Sequence, residues 1–462
     1  MSKVSSSATH LSDLTSALPG KVVLPSHSGW DNARRPWQLA VDPRPAAVVY
    51  PESAEDVATA VRYAGQRGFR IAPQGTGHNA GPLGGLEGAI LVKTERMRGV
   101  VIQAEARTAR VDAGVWAGAL AEAAAGHGFA TITGTSPSVG VVGYTLGGGI
   151  GVLGRRFGLA SSRVRAVELV TAIGRFVRAD RENEQDLFWA LRGGGGSFGV
   201  VTAMELELLP LAHAYAGTLW FPSERAREVL HAWRELAEAH PPDELTTIGR
   251  LLSFPPIPEV PEALRGKSFA VVHVYHAGDS ALADRLLAPL RALRPVKDTV
   301  QSCTIPALLE IHMDPDRPIP AVGDGFMLAD LPAEALATLI DVAGPGNGRQ
   351  LATVEVRHLE GELARARPEN GALASIPAKY TVYAGGFGPT PDLVASVHEQ
   401  IETLKRALAP WTTRYMNLNF AEMQRDPGSF WTEQAYHRLR RIKATVDPGN
   451  LVLANHPVAP ER

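Results

Sequence analysis

Pro73-Gln74-Gly75-Thr76-Gly77-His78-Asn79 follows a short strand expected over 69–72, and its glycines let backbone N–H groups converge on one point. An oriented run of amides makes a concavity suited to an anion such as a diphosphate. His78 would then lie beside whatever the phosphates carry. Taken alone, the heptad reads more readily as a solvated loop histidine, so its meaning depends on what surrounds it.

Downstream stands a second glycine array, Gly134-Thr135-Ser136-Pro137-Ser138-Val139-Gly140-Val141-Val142-Gly143-Tyr144-Thr145-Leu146-Gly147-Gly148-Gly149. It is too long for a turn, and backbone approaching a flat ligand explains it better than a plain connection. Two shorter matches are decoys. Gly149-Ile150-Gly151-Val152-Leu153-Gly154 spells the dinucleotide fingerprint, with Glu168 at a plausible distance, but no apolar strand precedes it and 155–162 is a poor helix. Gly195-Gly196-Ser197-Phe198-Gly199 spells a hydrolase nucleophile elbow, which needs a strand before and a helix after; the order here is reversed.

Around these segments the chain reads as α+β. A helix begins at Ser53, a capping residue, and repeats Val57, Ala60, Val61 and Ala64 until Gly68. Strands are expected over 89–94 and 108–113, a helix over 115–125, one long loop over 134–158, a hairpin over 164–179 turning near Gly174, a helix over 185–191 and a strand over 200–208. Past Pro210 come amphipathic helices over 223–240, 280–293, 332–342 and 391–408, alternating with strands over 268–276, 351–359 and 379–384. That pattern implies one sheet with helices on one face and something else on the other. A last helix over 430–444 is expected to bring the chain back to the first domain. The expected domains are 1–210, 211–410 and the return 411–462.

The bulk numbers favour a small, uncharged or mildly polar partner. With 462 residues, 45% hydrophobic, there is material for more than one core. A net charge of -2 without a basic stripe argues against nucleic acid, and no polybasic cluster or spanning apolar run points to a membrane. The single cysteine, Cys303, excludes an internal disulfide framework and a cysteine metal site. The start, residues 1–18, is polar with a short amphipathic piece over 10–18 and reads as no signal peptide, so a soluble, cytoplasmic chain is expected. No metal and no oligomeric state are assigned.

Taken together, the segments closely resemble the FAD-binding domain of the vanillyl-alcohol oxidase and p-cresol methylhydroxylase (PCMH) superfamily, in its berberine-bridge-enzyme-like branch. The likeness takes in A-A-V-V-Y-P-E-S-A-E-D-V-A-T at 46–59, the loop ending at His78, and S-P-S-V-G-V-V-G-Y-T-L-G-G-G at 136–149. It continues in D-L-F-W-A-L-R-G-G-G-G-S-F-G-V-V-T at 186–202, in V-D-P-G-N at 446–450 and in Asn455-His456-Pro457. The resemblance implies a two-domain PCMH-type FAD-binding fold whose substrate domain is an antiparallel sheet covered on one face by helices. It implies that His78 bonds to the flavin 8-methyl group. Other expected cofactor contacts are Gln74, Gly75, Thr76, Gly77, Asn79, Ser136, Ser138, Val139, Gly140, Gly143, Tyr144, Gly148, Gly199, Val200, Asn417 and Asn455. Ser136 stands where many relatives carry a second, cysteine tether, so a single attachment is expected. Gln74 replaces a frequent arginine, and Tyr415-Met416-Asn417-Leu418 lacks the second tyrosine of the family pattern, a base in some relatives.

Proton abstraction must then be assigned elsewhere. In Thr353-Val354-Glu355-Val356-Arg357-His358 the side chains alternate, so Glu355 and Arg357 share a face. If the valines meet the helices, Glu355 points at the flavin, where partial desolvation would raise its pKa as a base suited to a hydroxyl or amine proton. A solvent-facing Glu355–Arg357 pair is the alternative. Tyr144 is a second catalytic candidate, and His273, Tyr275, Arg357, Tyr380 and Tyr383 are expected to line the substrate. The expected activity is an FAD-dependent oxidase acting on an alcohol, sugar, amine or secondary-metabolite intermediate, with molecular oxygen as partner and hydrogen peroxide as product. A flavin dehydrogenase with another acceptor and a flavin-carrying binding protein are the alternatives.

Overall fold

The computed structural model describes residues 11–258, 260–344 and 351–461; the first ten residues, on which the reading of the chain's start partly rests, lie outside these. Strands β1 Val22–Val23, β2 Ala47–Val49, β3 Arg70–Gln74 and β4 Ala89–Lys93 form a sheet in the order β1-β2-β4-β3, with the β2–β4 and β3–β4 pairs parallel. Helix α1, Ala54–Arg67, is the crossover between β2 and β3. It starts where the Ser53 side chain accepts from the Asp56 N–H at 3.2 Å and stops at left-handed Gly68. Val57, Ala60, Val61 and Ala64 form its buried face, as their spacing predicts. Parallel pairing puts the ends of β3 and β4 side by side, so the loop leaving β3 at Gln74 opens at the carboxyl edge of the sheet, where α/β sheets receive ligands.

An antiparallel sheet follows, β5 Val100–Gln103, β6 Thr108–Asp112, β7 Val164–Val170, β8 Phe176–Asp180 and β9 Val200–Glu207, in the order β5-β6-β9-β7-β8. Helix α2 is Ala117–Ala125. The stretch 134–158, read from sequence as one loop, contains helix α3, Val141–Leu146, and a further single turn, Gly154–Phe157. Val141, Val142 and Leu146 are buried in the core of this sheet; the dense glycines hid their period. Helix α4, Gln185–Leu191, packs into the same core through Leu187, Phe188 and Leu191.

The third sheet has eight strands: β10 His213–Pro222, β11 Leu245–Ser253, β12 Ser268–His276, β13 Lys297–Asp298, β14 Gln301–Thr304, β15 Ala321–Leu328, β16 Leu351–His358 and β17 Tyr380–Phe387. Their order is β13-β10-β12-β11-β16-β17-β15, with β14 also on β10, and every pair is antiparallel. Helices α5 Ala226–Glu238, α6 Ser280–Ala292, α7 Ala333–Ala343 and α8 Pro391–Leu408 cover one face. There Val272, Val274, Val354, Val356 and Val382 meet Trp233, Leu336, Leu339, Ile401 and Leu404. Strands β10, β11, β13, β14 and β15 escaped the sequence reading. In β15, Gly323-Asp324-Gly325 imitates turn chemistry, yet a Cβ on Gly325 would stand 2.7 Å from Phe420 Cβ, and one on Gly323 would meet the Tyr383 hydroxyl. Those glycines admit side chains of the site.

The chain end returns as expected. Helix α9, Glu433–Val446, feeds V-D-P-G-N, and Ile71 of β3 bonds to both Leu451 and Leu453, extending the first sheet. Lys443, fully buried, donates to Asp447 Oδ2 and Ser197 O, each at 2.6 Å, while Asp447 accepts from the Leu451 and Val452 N–H groups at 2.7 and 2.9 Å. Among the described residues no helix is long and apolar enough to cross a membrane.

Removing one member of that buried pair strands the other. Lys443→Met is expected to cost about 3 kcal/mol in urea unfolding, the range for breaking a buried ion pair, whereas Lys→Met at exposed Lys297 should change stability by under about 0.5 kcal/mol.

Candidate active site

A cavity of about 440 Å3 lies between the two glycine arrays and the bare face of the third sheet. Its floor is built from the loop after β3. Gly77 is left-handed (φ 81°) and its Cα runs so close to Pro36 that a Cβ would lie 2.7 Å from Pro36 Cβ. The Trp37 and Gln38 N–H groups donate to the Thr76 and Gly77 carbonyls. This pinning stacks the His78 ring on Trp37, with centroids 4.5 Å apart and planes 18° from parallel. His78 Nε2 meets Ser138 Oγ at 3.1 Å, and Ser138 Oγ meets Ser136 Oγ at 2.9 Å. Burial pushes the His78 imidazole down to about 4, against a smaller upward pull from Asp314, so the ring is neutral at pH 7. Asn79 donates to the Leu418 and Ala421 carbonyls, and Asn455 donates to the Asn79 carbonyl.

The roof is a chain of hydrogen-bonded ionisable groups. Arg357 Nε donates to Glu355 Oε1 at 2.7 Å; His312 bridges Glu355 Oε2 and Asp314 Oδ1, 2.6 Å from each; the Thr135 hydroxyl donates to Asp314 Oδ2 at 2.8 Å. Arg250 donates to Thr353 Oγ1 and to the His312 carbonyl. Valines of β16 meet the helices, so Glu355 and Arg357 do face the cavity, and the solvent-facing alternative falls. The expected rise in the Glu355 pKa does not occur. Burial raises it, but Arg357 and His312 outweigh burial and hold the carboxyl well below the usual range. Beside them Tyr383, opposite Glu355 in the β16–β17 register, donates its hydroxyl to Glu422 Oε1 at 2.8 Å.

Most expected residues line the cavity: Gln74, Gly75, Thr76, Gly77, His78, Asn79, Ser136, Val139, Gly140, Gly143, Tyr144, Gly199, Asn417, Asn455, Glu355, Arg357 and Tyr383. Ser138 acts one step back, through His78. Gly148 and Val200 do not reach the cavity: Gly148 backs onto Leu373, and Val200 is in the core under α1. Tyr380 is a correction. It lies on the helix side, against Trp233, and donates to Glu238. His273 and Tyr275 are on the roof's face but covered: His273 bonds Thr218 and abuts His312, and Tyr275 packs with Ile132, Val152 and Leu308. Trp37, Arg250, His312, Asp314 and Glu422 were missed. Only two local hints pointed at them, Arg250 interrupting an apolar run and His312-Met313-Asp314 in a proline-flanked loop.

The cavity fits a flavin dinucleotide. The side-chain Nδ2 of Asn417, Nε2 of Gln74 and Oη of Tyr144 are buried without a protein partner, donors waiting for a ligand acceptor. A Cβ on Gly143 would meet nothing within 4 Å, and on Gly75, Gly140 or Gly196 nothing closer than 3.8 Å, so space and not protein packing keeps these positions bare.

The FAD binding domain family model matches residues 45–180, and the berberine and berberine-like model matches 414–458. The chain is 29% identical over 472 residues to (R)-6-hydroxynicotine oxidase of Paenarthrobacter nicotinovorans, covering 96% of this chain and 98% of that protein. It is 35% identical over 182 residues to glucooligosaccharide oxidase of Sarocladium strictum, covering 39% of this chain and 36% of that one. The crystal structure of 6-hydroxy-D-nicotine oxidase from Arthrobacter nicotinovorans superposes with a TM-score of 0.83 at 26% identity, covering 96% and 98% of the two chains.

Gly143→Leu separates folding from ligand space. Leucine is at home in a helix, so unfolding free energy should shift by no more than about 1 kcal/mol. The side chain would project into the cavity, and the ratio of visible to protein absorbance of the purified variant should fall severalfold.

Proposed function

We propose, for a chain that belongs to the FAD-linked oxidoreductases with a berberine-bridge-like C-terminal segment, an oxidase that carries its FAD bonded to His78 and takes hydride from a small organic molecule held under the third sheet. The observation that carries this reading is the state of His78: neutral, stacked on Trp37 and steadied by Ser138, on the floor of a glycine-lined cavity. A neutral imidazole keeps a nitrogen lone pair free to bond carbon, which a protonated ring lacks.

When bound, FAD supplies the two-electron acceptor and returns the electrons to oxygen, giving hydrogen peroxide. The glycine arrays present backbone N–H groups to the diphosphate, and Gln74 offers a neutral amide donor where relatives often hold arginine. Asn417 and Tyr144, both on the cavity lining, carry buried donors without a protein partner. Glu355 holds the Arg357 guanidinium, whose centre lies 4.7 Å over the Phe420 ring, so the cation is fixed in place to orient a substrate oxygen. Asp314 and Glu355 hold His312 between them, which keeps the roof at a fixed height above the floor. The substrate is a compound with an O–H or N–H on or beside the carbon oxidised.

Acid-precipitated protein is expected to stay yellow, with intact mass raised by one FAD, and His78→Ala to give a colourless pellet with pigment in the supernatant. A panel of secondary amines, alcohols and oligosaccharides, including 6-hydroxynicotine and cellobiose, is then screened for anaerobic bleaching of the visible band and for peroxide in air. Bleaching that air does not reverse would sink the oxidase and leave a dehydrogenase; a purified protein with no visible band would sink the whole reading.

A further inference from the structure

Glu422 has no role in the function proposed above, yet it stands in the wall shared by two cavities. It lines the main cavity and also a second one of about 410 Å3, bordered by Gln38, Asp42, Gly323, Val394 and His398. Its carboxylate is held from both sides: Tyr383 donates to Oε1 at 2.8 Å and Gln38 Nε2 to Oε2 at 3.0 Å. Its own N–H donates to Asp324 Oδ1 at 3.0 Å, and Asp324 is in turn paired with Lys405 and Arg425, which absorb its charge. Burial, with Asp324 adding to it and the Tyr383 bond opposing, pushes the Glu422 carboxyl up to about 7. Burial and Glu422 together push the Tyr383 phenol well above its ordinary value, so it enters any reaction neutral.

Resting on the reading that substrate lies beneath the third sheet, we propose that Tyr383 and Glu422 are the proton outlet of the reaction. The substrate's O–H or N–H hydrogen passes as a proton to Tyr383 Oη while the phenolic proton passes to Glu422 Oε1, and the C–H hydrogen leaves with its electron pair to the flavin. Glu422 then releases the proton through the second cavity to water. Glu355 is unsuited to this task although it is on the same face. Both its oxygens are taken by cationic or N–H partners, and a carboxyl so strongly favoured as the anion is a poor proton acceptor. Tyr383 touches the substrate; Glu422 acts through it. The second cavity gives the pair a way out that does not cross the flavin.

The test begins with infrared difference spectra of the holoenzyme across pH 5 to 9, which need no substrate. A protonated-carboxyl band titrating near 7 is expected in wild type. It should be absent in Glu422→Gln, displaced in Tyr383→Phe and restored in Glu422→Asp. With whichever panel compound bleaches the flavin, the anaerobic bleaching rate should rise with pH as Glu422 ionises, falling about tenfold per unit below its pKa. Glu422→Gln should flatten that limb while leaving the visible spectrum intact. A coloured wild-type protein with no band titrating near 7, or a band or limb that survives in Glu422→Gln, overturns the outlet and leaves the oxidase reading standing. A colourless protein instead overturns the reading beneath it.

Discussion

Arg357, Glu355, His312 and Asp314 form an unbroken line of alternating partners that starts on the roof strand β16 and ends on the Thr135 hydroxyl in the glycine array below. Each ionised group buried in this way costs several kcal/mol unless its neighbour compensates it. The line therefore has one workable geometry, and that geometry sets the gap between floor and roof. The glycines of the floor, the small residues of β15 and the placing of Phe420 all serve a slot whose height the charges dictate.

Within the slot, two carboxyls on the same wall are driven in opposite directions. Glu355, surrounded by cations, is locked as an anion, whereas Glu422, surrounded by a phenol, an amide and another acid, is left near neutrality. Environments that split like groups in this way divide their labour: one keeps a permanent charge, the other exchanges protons. On the floor, His78 is kept neutral by burial, so the lower surface offers no cation to compete with the roof for an anionic substrate group.

Much of this was legible in the chain itself. Ser53 and Gly68 announce the ends of α1; alternation in 353–358 assigns Glu355 and Arg357 to one face; the glycine arrays and His78 mark the floor. The roof network was not legible, because His312, Arg250 and Glu355 come from three separate elements and owe their character to one another. Tyr380 and Tyr383 show the limit of counting aromatics. They are three residues apart on one strand, so they fall on opposite faces, and only the sheet's orientation tells which meets the helices. Strand β15 was lost for a related reason: Gly323 and Gly325 are there for Tyr383 and Phe420, and a residue chosen for a distant neighbour carries no local signal.

The partners of the His78 loop also bear on the order of events during synthesis. Asn79 is gripped by carbonyls at 418 and 421 and by Asn455, and β3 gains its outer neighbour only from 451–453. Those side chains and carbonyls follow Asn79 by 339 to 376 residues and leave the ribosome long after the loop they hold. The pocket can therefore close only once the stretch 418–455 has been made, which places pigment capture late and lets a chain that stops short of it be recognised by its lack of colour.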